Sequence, residues 1–285
     1  MPTAHITDRA LILATGPDAR PFLQNLITTD IESMVDGEIR PGALLTPQGK
    51  ILFDFLISRY GADGLRLECR ADAADDFLRR LMLYKLRAKV EIDKQEQPVV
   101  AVAWEIDSST SRDDSSWLRD TRFADIDVRR SYHEAPAADA TADAYAALRV
   151  AHGVAESGAD YALGDAFPHD VLFDQNGGVG LKKGCFVGQE VVSRMHHRGT
   201  ARRRLLLASA DTPLPPAGTD IDAGGRAVGV LGTVAGAKGL AIARIDKVKA
   251  ARDAGTVLAA GGIPLKLEIP GWATFTFPDK DTGTD

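Results

Sequence analysis

The ten residues from Ile51 to Tyr60 constrain this chain more than any other stretch. Ile51, Phe53, Phe55 and Ile57 fall on one side of an extended backbone, and Leu52, Asp54, Leu56 and Ser58 on the other. This period of two predicts a strand, so the chain must build a sheet around it. Asp54 shares its side with two leucines. A carboxylate in such company is either the polar mark of a pocket or the partner of a neighbouring base. The preceding Thr46-Pro47-Gln48-Gly49-Lys50 has turn chemistry and predicts a hairpin loop. Leu65 to Arg70 repeats the alternation, with Cys69 on the apolar side beside Leu65 and Leu67, the place of a small core residue.

Other segments supply helices. Ala10 to Ala14 predicts a short strand ended by Gly16-Pro17-Asp18. Asp18 is then expected to cap a helix carrying Phe22, Leu23, Leu26 and Ile27 on one face. Asp75 to Lys89 predicts an amphipathic helix with Phe77, Leu78, Leu81, Met82 and Tyr84 inward. Strands are expected within Pro98–Trp104 and Phe123–Tyr132, an exposed polar loop over Ser108–Arg119, and a linker around Ala135–Ala140. Ala142 to His152 predicts a helix with Tyr145 and Leu148 inward, closed by Gly153. A further helix is expected to start near Gly188. After Arg204 helix patterns vanish, and short apolar runs alternate with glycines every eight to twelve residues up to a frayed tail at 278–285. That spacing predicts a small antiparallel barrel or sandwich. The fold class is α+β, and 285 residues suggest two or three compact units.

The chemistry concentrates between Lys182 and Arg204, where seven Lys or Arg stand against one acid, Glu190, in a chain whose net charge is −6. A cationic window in an acidic protein points to a local anionic partner. Cys185 lies inside it. Lys182, Lys183 and a helix start after Gly184 favour its thiolate, while the alternative is a small residue needed for tight packing. Arg194, Arg198 and Arg202 are four apart, a cationic ridge if helical, suited to carboxylates or to RNA phosphates.

Other chemistries are disfavoured. Gly178-Val179-Gly180 with Gly184 is one residue too long for a dinucleotide fingerprint, and no phosphate-binding G-x-x-x-x-G-K-[ST] occurs. No resident metal is expected, because the adjacent His196 and His197 diverge from one another and leave too few ligands beside Cys185. An aromatic content of 6% with no stacking cluster argues against nucleic acid. No apolar run approaches a membrane span. Two cysteines form no disulfide framework, and the N-terminus has no signal-peptide pattern, so a cytoplasmic setting is expected.

Lys183-Gly184-Cys185-Phe186-Val187-Gly188-Gln189-Glu190 resembles the K-G-C-[FY]-x-G-Q-E signature of the YgfZ group, within the family of the glycine-cleavage T-protein, an aminomethyltransferase. Phe22 to Asp30 is similar to that family's early F-L-Q-x-x-x-T-x-D helix. Gly178 to Lys182 resembles its run into the signature, and Ile269-Pro270-Gly271-Trp272 resembles part of its C-terminal barrel. Leu44 to Lys50 followed by Asp54, and His196-His197, are similar to the branch of mitochondrial iron–sulfur maturation factors.

The resemblance implies a T-protein-like, three-lobed fold around a central pocket. Residues 1–200 would form a folate-binding α+β region of two interleaved subdomains, about 1–45 with 133–200 and about 46–132. Residues 201–285 would form the antiparallel barrel. It implies a tetrahydrofolate-binding accessory factor for iron–sulfur cluster assembly or repair, with assembly proteins or cluster-containing clients as partners. Cys185 would be the working thiol. Asp54 and Tyr145 would lie near the pterin, in one cavity with the Cys185 loop, and Lys183, Glu190, Arg194 and Arg198 would serve the folate tail. A second pterin aromatic of the family falls at Arg9, which is not aromatic. T-proteins carry an acid where this chain has Cys185, which argues against a glycine-cleavage enzyme. Two alternatives stay open: a tetrahydrofolate-dependent one-carbon transferase or demethylase in which Asp54 orients or deprotonates the folate amine, and a tRNA-binding factor.

Overall fold

The computed structural model describes residues 2–105, 116–133 and 137–278. Most of the polar loop expected over Ser108–Arg119, part of the linker around Ala135–Ala140 and nearly all of the tail lie outside these residues. The first part of the chain runs through β1 (Thr3–His5), β2 (Arg9–Thr15), α1 (Ala19–Gln24), β3 (Glu38–Leu45), β4 (Ile51–Tyr60), β5 (Gly64–Arg70), α2 (Ala74–Lys85), β6 (Glu91–Lys94), β7 (Ala101–Trp104), β8 (Trp117–Asp120) and β9 (Val128–Ser131). These nine strands form one sheet in the order β1-β7-β9-β8-β3-β4-β5-β2-β6. Only the short β3–β8 contact is parallel.

Directly opposed residues of neighbouring strands share a sheet face, so the register divides the sheet into two chemistries. On one face Phe53, Phe55, Ile57, Leu65, Leu67 and Cys69 join Ile12 and Ala14 of β2, covered by Leu23 of α1 and by Phe77 and Leu81 of α2. The Phe77 ring stacks on both Phe53 and Phe55, with centroids 5.0 and 5.3 Å apart. On the other face the register aligns Leu56 with Glu68, Ser58 with Arg66, and Arg9 with Arg70. The alternation that singled out β4 therefore separates an apolar core from a charged layer.

After β9 come α3 (Ala142–His152) and α4 (Gln189–Arg198). The α3 helix has the bounds its sequence pattern predicts. The Thr141 hydroxyl caps it by accepting from the Ala144 N–H, and Gly153 ends it at φ +66°. A closed antiparallel barrel follows, from β10 (Arg203–Ser209), β11 (Asp220–Ala223), β12 (Arg226–Ala235), β13 (Lys238–Arg244), β14 (Leu258–Ala260) and β15 (Ile263–Glu268). One helix, α5 (Ile245–Asp253), interrupts it. The expectation that helices vanish beyond Arg204 is thus corrected. Ile245, Val248 and Ala251 are its buried face, a three-residue spacing hidden directly behind the apolar run of β13.

Three further expectations change. The Asp18 side chain does not cap α1; its carboxylate accepts from the Lys89 N–H and pins the chain after α2. The α2 helix stops at Lys85, and Met82 is exposed rather than inward. The α4 helix ends at Gly199, which leaves Arg202 off the ridge of Arg194 and Arg198. No helix among the described residues is long and apolar enough to cross a membrane.

The two parts of the chain meet over a shared apolar cluster. Ala43, Leu45 and Ile51 of the sheet, Val150 of α3, Tyr161, Phe186 and Val192 of α4 pack with Leu205, Leu240 and Ile242 of the barrel.

Candidate functional site

The charged face of the sheet is largely buried. Arg130 is fully buried, and its guanidinium donates to Glu68 at 2.8 Å, to Asp120 at 3.0 Å and to the Tyr145 hydroxyl at 2.5 Å. Arg9 also donates to Glu68, at 2.7 Å, and the Tyr132 hydroxyl donates to its other oxygen at 2.8 Å. Arg122 spans Asp120 at 2.7 Å and Glu156 at 3.2 Å. Burial alone would push the Glu68 carboxyl up, but Arg130 and Arg9 outweigh it and hold it below the usual carboxylate range. Glu156 is held low in the same way, chiefly by Arg149 and Arg9 against its own burial. Tyr145 is pushed up by burial and stays a neutral phenol. Its ring lies 6.4 Å from both Trp104 and Phe123.

Asp54 stands at the edge of this layer, half-buried on β4. The Ser157 hydroxyl donates to one oxygen at 2.5 Å and the Tyr161 hydroxyl to the other at 2.8 Å. Of the two readings its sequence position allowed, the partners are hydroxyl groups and not a base. Ser157 adjoins Glu156, which accepts from Tyr145 at 3.4 Å, so Asp54 and Tyr145 are joined through two consecutive residues. Among the described residues the Ser58 hydroxyl and the Arg66 Nε of the same face have no hydrogen-bond partner, and they are buried and directly opposed across β4 and β5. The Arg66 guanidinium is framed by the rings of Tyr60, at 5.1 Å, and Tyr132, at 4.4 Å.

The cysteine loop is built differently. Lys183 turns away from the thiol: its ammonium donates to the carbonyls of Ile27 at 2.7 Å and Thr29 at 2.9 Å, tying the loop to the chain after α1. Burial lowers the Lys183 pKa to about 8. Phe186 is buried in the cluster that includes Tyr161. Gly188 starts α4 at φ +79°, and a Cβ there would stand 2.6 Å from the Thr46 carbonyl oxygen. The signature thus lies against the β3–β4 hairpin. Between these anchors Cys185 is exposed, whereas Cys69 is buried and its thiol is pushed up to about 12 by burial.

The structure therefore brings Asp54 and Tyr145 into one network. Phe186 of the cysteine loop shares an apolar cluster with Tyr161, and the thiol itself is exposed. Glu190 and Arg194 pair with each other at 2.6 Å on the exposed side of α4, and Arg198 is exposed in its last turn. Among the described residues neither they nor Lys183 bonds to Asp54 or Tyr145. A cleft of about 570 Å³ opens on the barrel beside Arg252 and Lys266, away from all of these residues. Sequence reasoning missed Arg9, Glu68, Asp120, Arg122, Arg130 and Glu156. A signal existed for Arg66 and Glu68, which alternate with buried apolar residues, as Asp54 does.

Comparison with known proteins agrees with this architecture. Residues 202–275 match the family described as the CAF17 C-terminal beta-barrel domain. The chain is 29% identical over 275 residues to the mitochondrial iron–sulfur cluster assembly factor IBA57 of Mus musculus, covering 85% of this chain and 77% of that one. It is 30% identical over 316 residues to the IBA57 homologue of Neosartorya fischeri, covering 85% and 70%. It spans 55–60% of the length of three further fungal relatives. The crystal structure of the glycine cleavage system aminomethyltransferase T from Bartonella henselae superposes with a TM-score of 0.69 at 17% identity, over 95% of this chain and 86% of that one. That likeness shows the T-protein fold. The cytoplasmic setting expected above is overturned by the curated relatives, which are named mitochondrial. Free thiols suit any reducing compartment, so cysteine usage does not distinguish the two.

Proposed function

The chain belongs to the family of the IBA57 iron–sulfur cluster assembly factors, and from that premise we propose that it assists cluster assembly through the Cys185 thiol, with tetrahydrofolate bound on the charged face of its sheet. The observation that carries the first part is the contrast within one loop. Lys183, Phe186 and Gly188 are each fixed to a different part of the fold, and Cys185 between them is exposed. A small core residue would be covered. A thiol presented uncovered on a pinned loop is open to the iron of a cluster, which is the cargo here.

The folate part rests on the unpartnered Ser58 hydroxyl and Arg66 Nε. Buried polar groups are nearly always hydrogen-bonded, so an opposed hydroxyl and guanidinium flanked by two tyrosine rings fit a flat, hydrogen-bonding heterocycle. Ser58 and Arg66 would hold the pterin, Tyr60 and Tyr132 would bound it, and Asp54, fixed by Ser157 and Tyr161, would keep the adjoining edge polar. Tetrahydrofolate would supply a reduced pterin able to accept a one-carbon unit. The chain's own residues would orient it.

The two parts separate experimentally. In a strain lacking this chain, Cys185→Ser is expected to fold and bind tetrahydrofolate yet fail to restore a cluster-dependent enzyme. Full restoration refutes the thiol role. Calorimetry with tetrahydrofolate on the full chain is expected to show binding that Arg66→Met weakens, and heat-silent titration of the unmodified chain refutes the folate role.

A further inference from the structure

A second group of side chains converges away from Cys185. His169 lies in the single helical turn Pro168–Val171, Asp174 just beyond it, and His196 in the last turn of α4. One ligand atom from each lies within 4.8 Å of the others. The His169 and His196 rings are 6.2 Å apart between centroids. From these residues we propose that the chain holds a divalent first-row transition-metal ion at His169, Asp174 and His196.

The independent observation is His169 itself. It is 0% exposed, and among the described residues neither of its ring nitrogens has a hydrogen-bond partner. A neutral imidazole offers one donor and one acceptor, and burying both unmatched is costly unless a ligand completes the site. A metal ion would satisfy the nitrogen that carries the lone pair.

The donor set narrows the ion. Two imidazole nitrogens and one carboxylate suit zinc, iron(II) or cobalt(II) and not calcium or magnesium, which take mainly oxygen. Three protein ligands leave coordination positions for solvent. Tetrahedral donors sit roughly 3.4 Å apart around such an ion, so closure from 4.8 Å needs a shift of His196, which is exposed at the end of its helix. Asp174 is already oriented. Arg204 donates to one oxygen at 2.7 Å and Gln175 to the other at 2.9 Å. A carboxylate oxygen accepts more than one partner, and hydrogen bonds of this kind orient metal ligands. The Arg204 cation also offsets the carboxylate charge, which favours a modest affinity.

The site is distinct from the thiol. Gln189 and His196 are seven residues apart on α4, about 10 Å along its axis, and Cys185 precedes the helix. The sequence pointed to His196 and His197 and concluded that they diverge. Their rings instead meet edge-on with centroids 5.5 Å apart, and His196 alone joins the group in a turn more than twenty residues earlier.

The test titrates the tag-free, chelator-stripped full chain with cobalt(II) chloride and records the visible d–d bands. One equivalent is expected to bind. His196→Ala, an exposed change that leaves the fold intact, is expected to weaken binding by more than the roughly 10–100-fold typical of losing an outer-shell partner. Asp174→Asn is expected to weaken it as well, and His197→Ala and Cys185→Ser are expected to preserve it. Absence of the bands overturns the proposal. So does retention in His196→Ala, or loss in Cys185→Ser, which would assign the ion to the thiol.

Discussion

Replacing Arg130 by methionine tests whether the charged face of the sheet holds the α+β region together. The side chain is fully buried, and methionine keeps an unbranched apolar stem while removing its bonds to Glu68 at 2.8 Å and Asp120 at 3.0 Å. Removing one partner of a buried ion pair costs ~3–5 kcal/mol, because the remaining charge is left uncompensated. Glu68 keeps Arg9 and Tyr132, and Asp120 keeps Arg122, so the lower end applies, about 3 kcal/mol. With urea slopes of ~1–3 kcal/mol per molar, the midpoint should fall by about 1–3 M. The effect also has a sign in pH. The folded-state Glu68 carboxyl lies below its ordinary 4.5, despite burial, because of Arg130 and Arg9. Its contribution is therefore fully present above 4.5 and is lost as pH falls through the lower folded value. Without Arg130 that contribution shrinks, so variant and unmodified chain should differ most at neutral pH and converge in acid. Trp104, 6.4 Å from the Tyr145 ring, reports on this layer, and a background with Trp117→Phe and Trp272→Phe leaves it as the single indole. A loss no larger than the ~0.5 kcal/mol of a surface substitution, or a difference that does not change between neutral and acid pH, would refute the reasoning.

Gly188→Ala should lower the melting temperature and loosen α4, since its φ of +79° and the Thr46 oxygen 2.6 Å away leave no room for a Cβ, at a cost of about 1–3 kcal/mol. Gly184→Ala in the same signature, where nothing lies within 4 Å, should melt as the unmodified chain does, and equal effects at the two sites would exclude this explanation. Phe186→Ala should destabilise by ~3–5 kcal/mol in thermal melts while the folded fraction keeps an alkylatable Cys185, because the ring is buried and the thiol is not. Tyr161→Phe removes one of the two donors to Asp54 and should cost ~1–3 kcal/mol in denaturant unfolding; no loss would mean that the hydroxyl does not hold the carboxylate.

Local order was legible in the chain wherever a period or a cap writes it. Ile51–Tyr60 alternates and is β4, and Ala142–His152 carries a helical face with Thr141 and Gly153 at its ends and is α3. The glycine-spaced runs after Arg204 are a barrel. The cysteine signature could be read because it is contiguous. The helix α5 was hidden because its inward residues continue the run of a strand, and the role of Asp18 was misread because its partner, the Lys89 N–H, lies 71 residues away.

The site shows the same division. Alternation alone places Asp54 on the face opposite Phe53 and Phe55, since side chains on a strand must point to opposite sides. It cannot say what Asp54 meets there. Ser157 and Tyr161 lie more than a hundred residues further on, Arg130 reaches Glu68 across 62 residues, and His196 meets His169 from a different element. Such partners are chosen by strand register and by how α3, α4 and the barrel pack over the shared core, and neither leaves a periodic trace in the sequence. The chain by itself determined its elements, the two faces of its sheet and the cysteine of its signature. Tertiary structure alone decided that Arg130 joins Glu68 to Asp120, that Cys185 stays uncovered, and that among the described residues a buried histidine is left without a hydrogen-bond partner, because each of these depends on which distant side chains packing brings within hydrogen-bond reach.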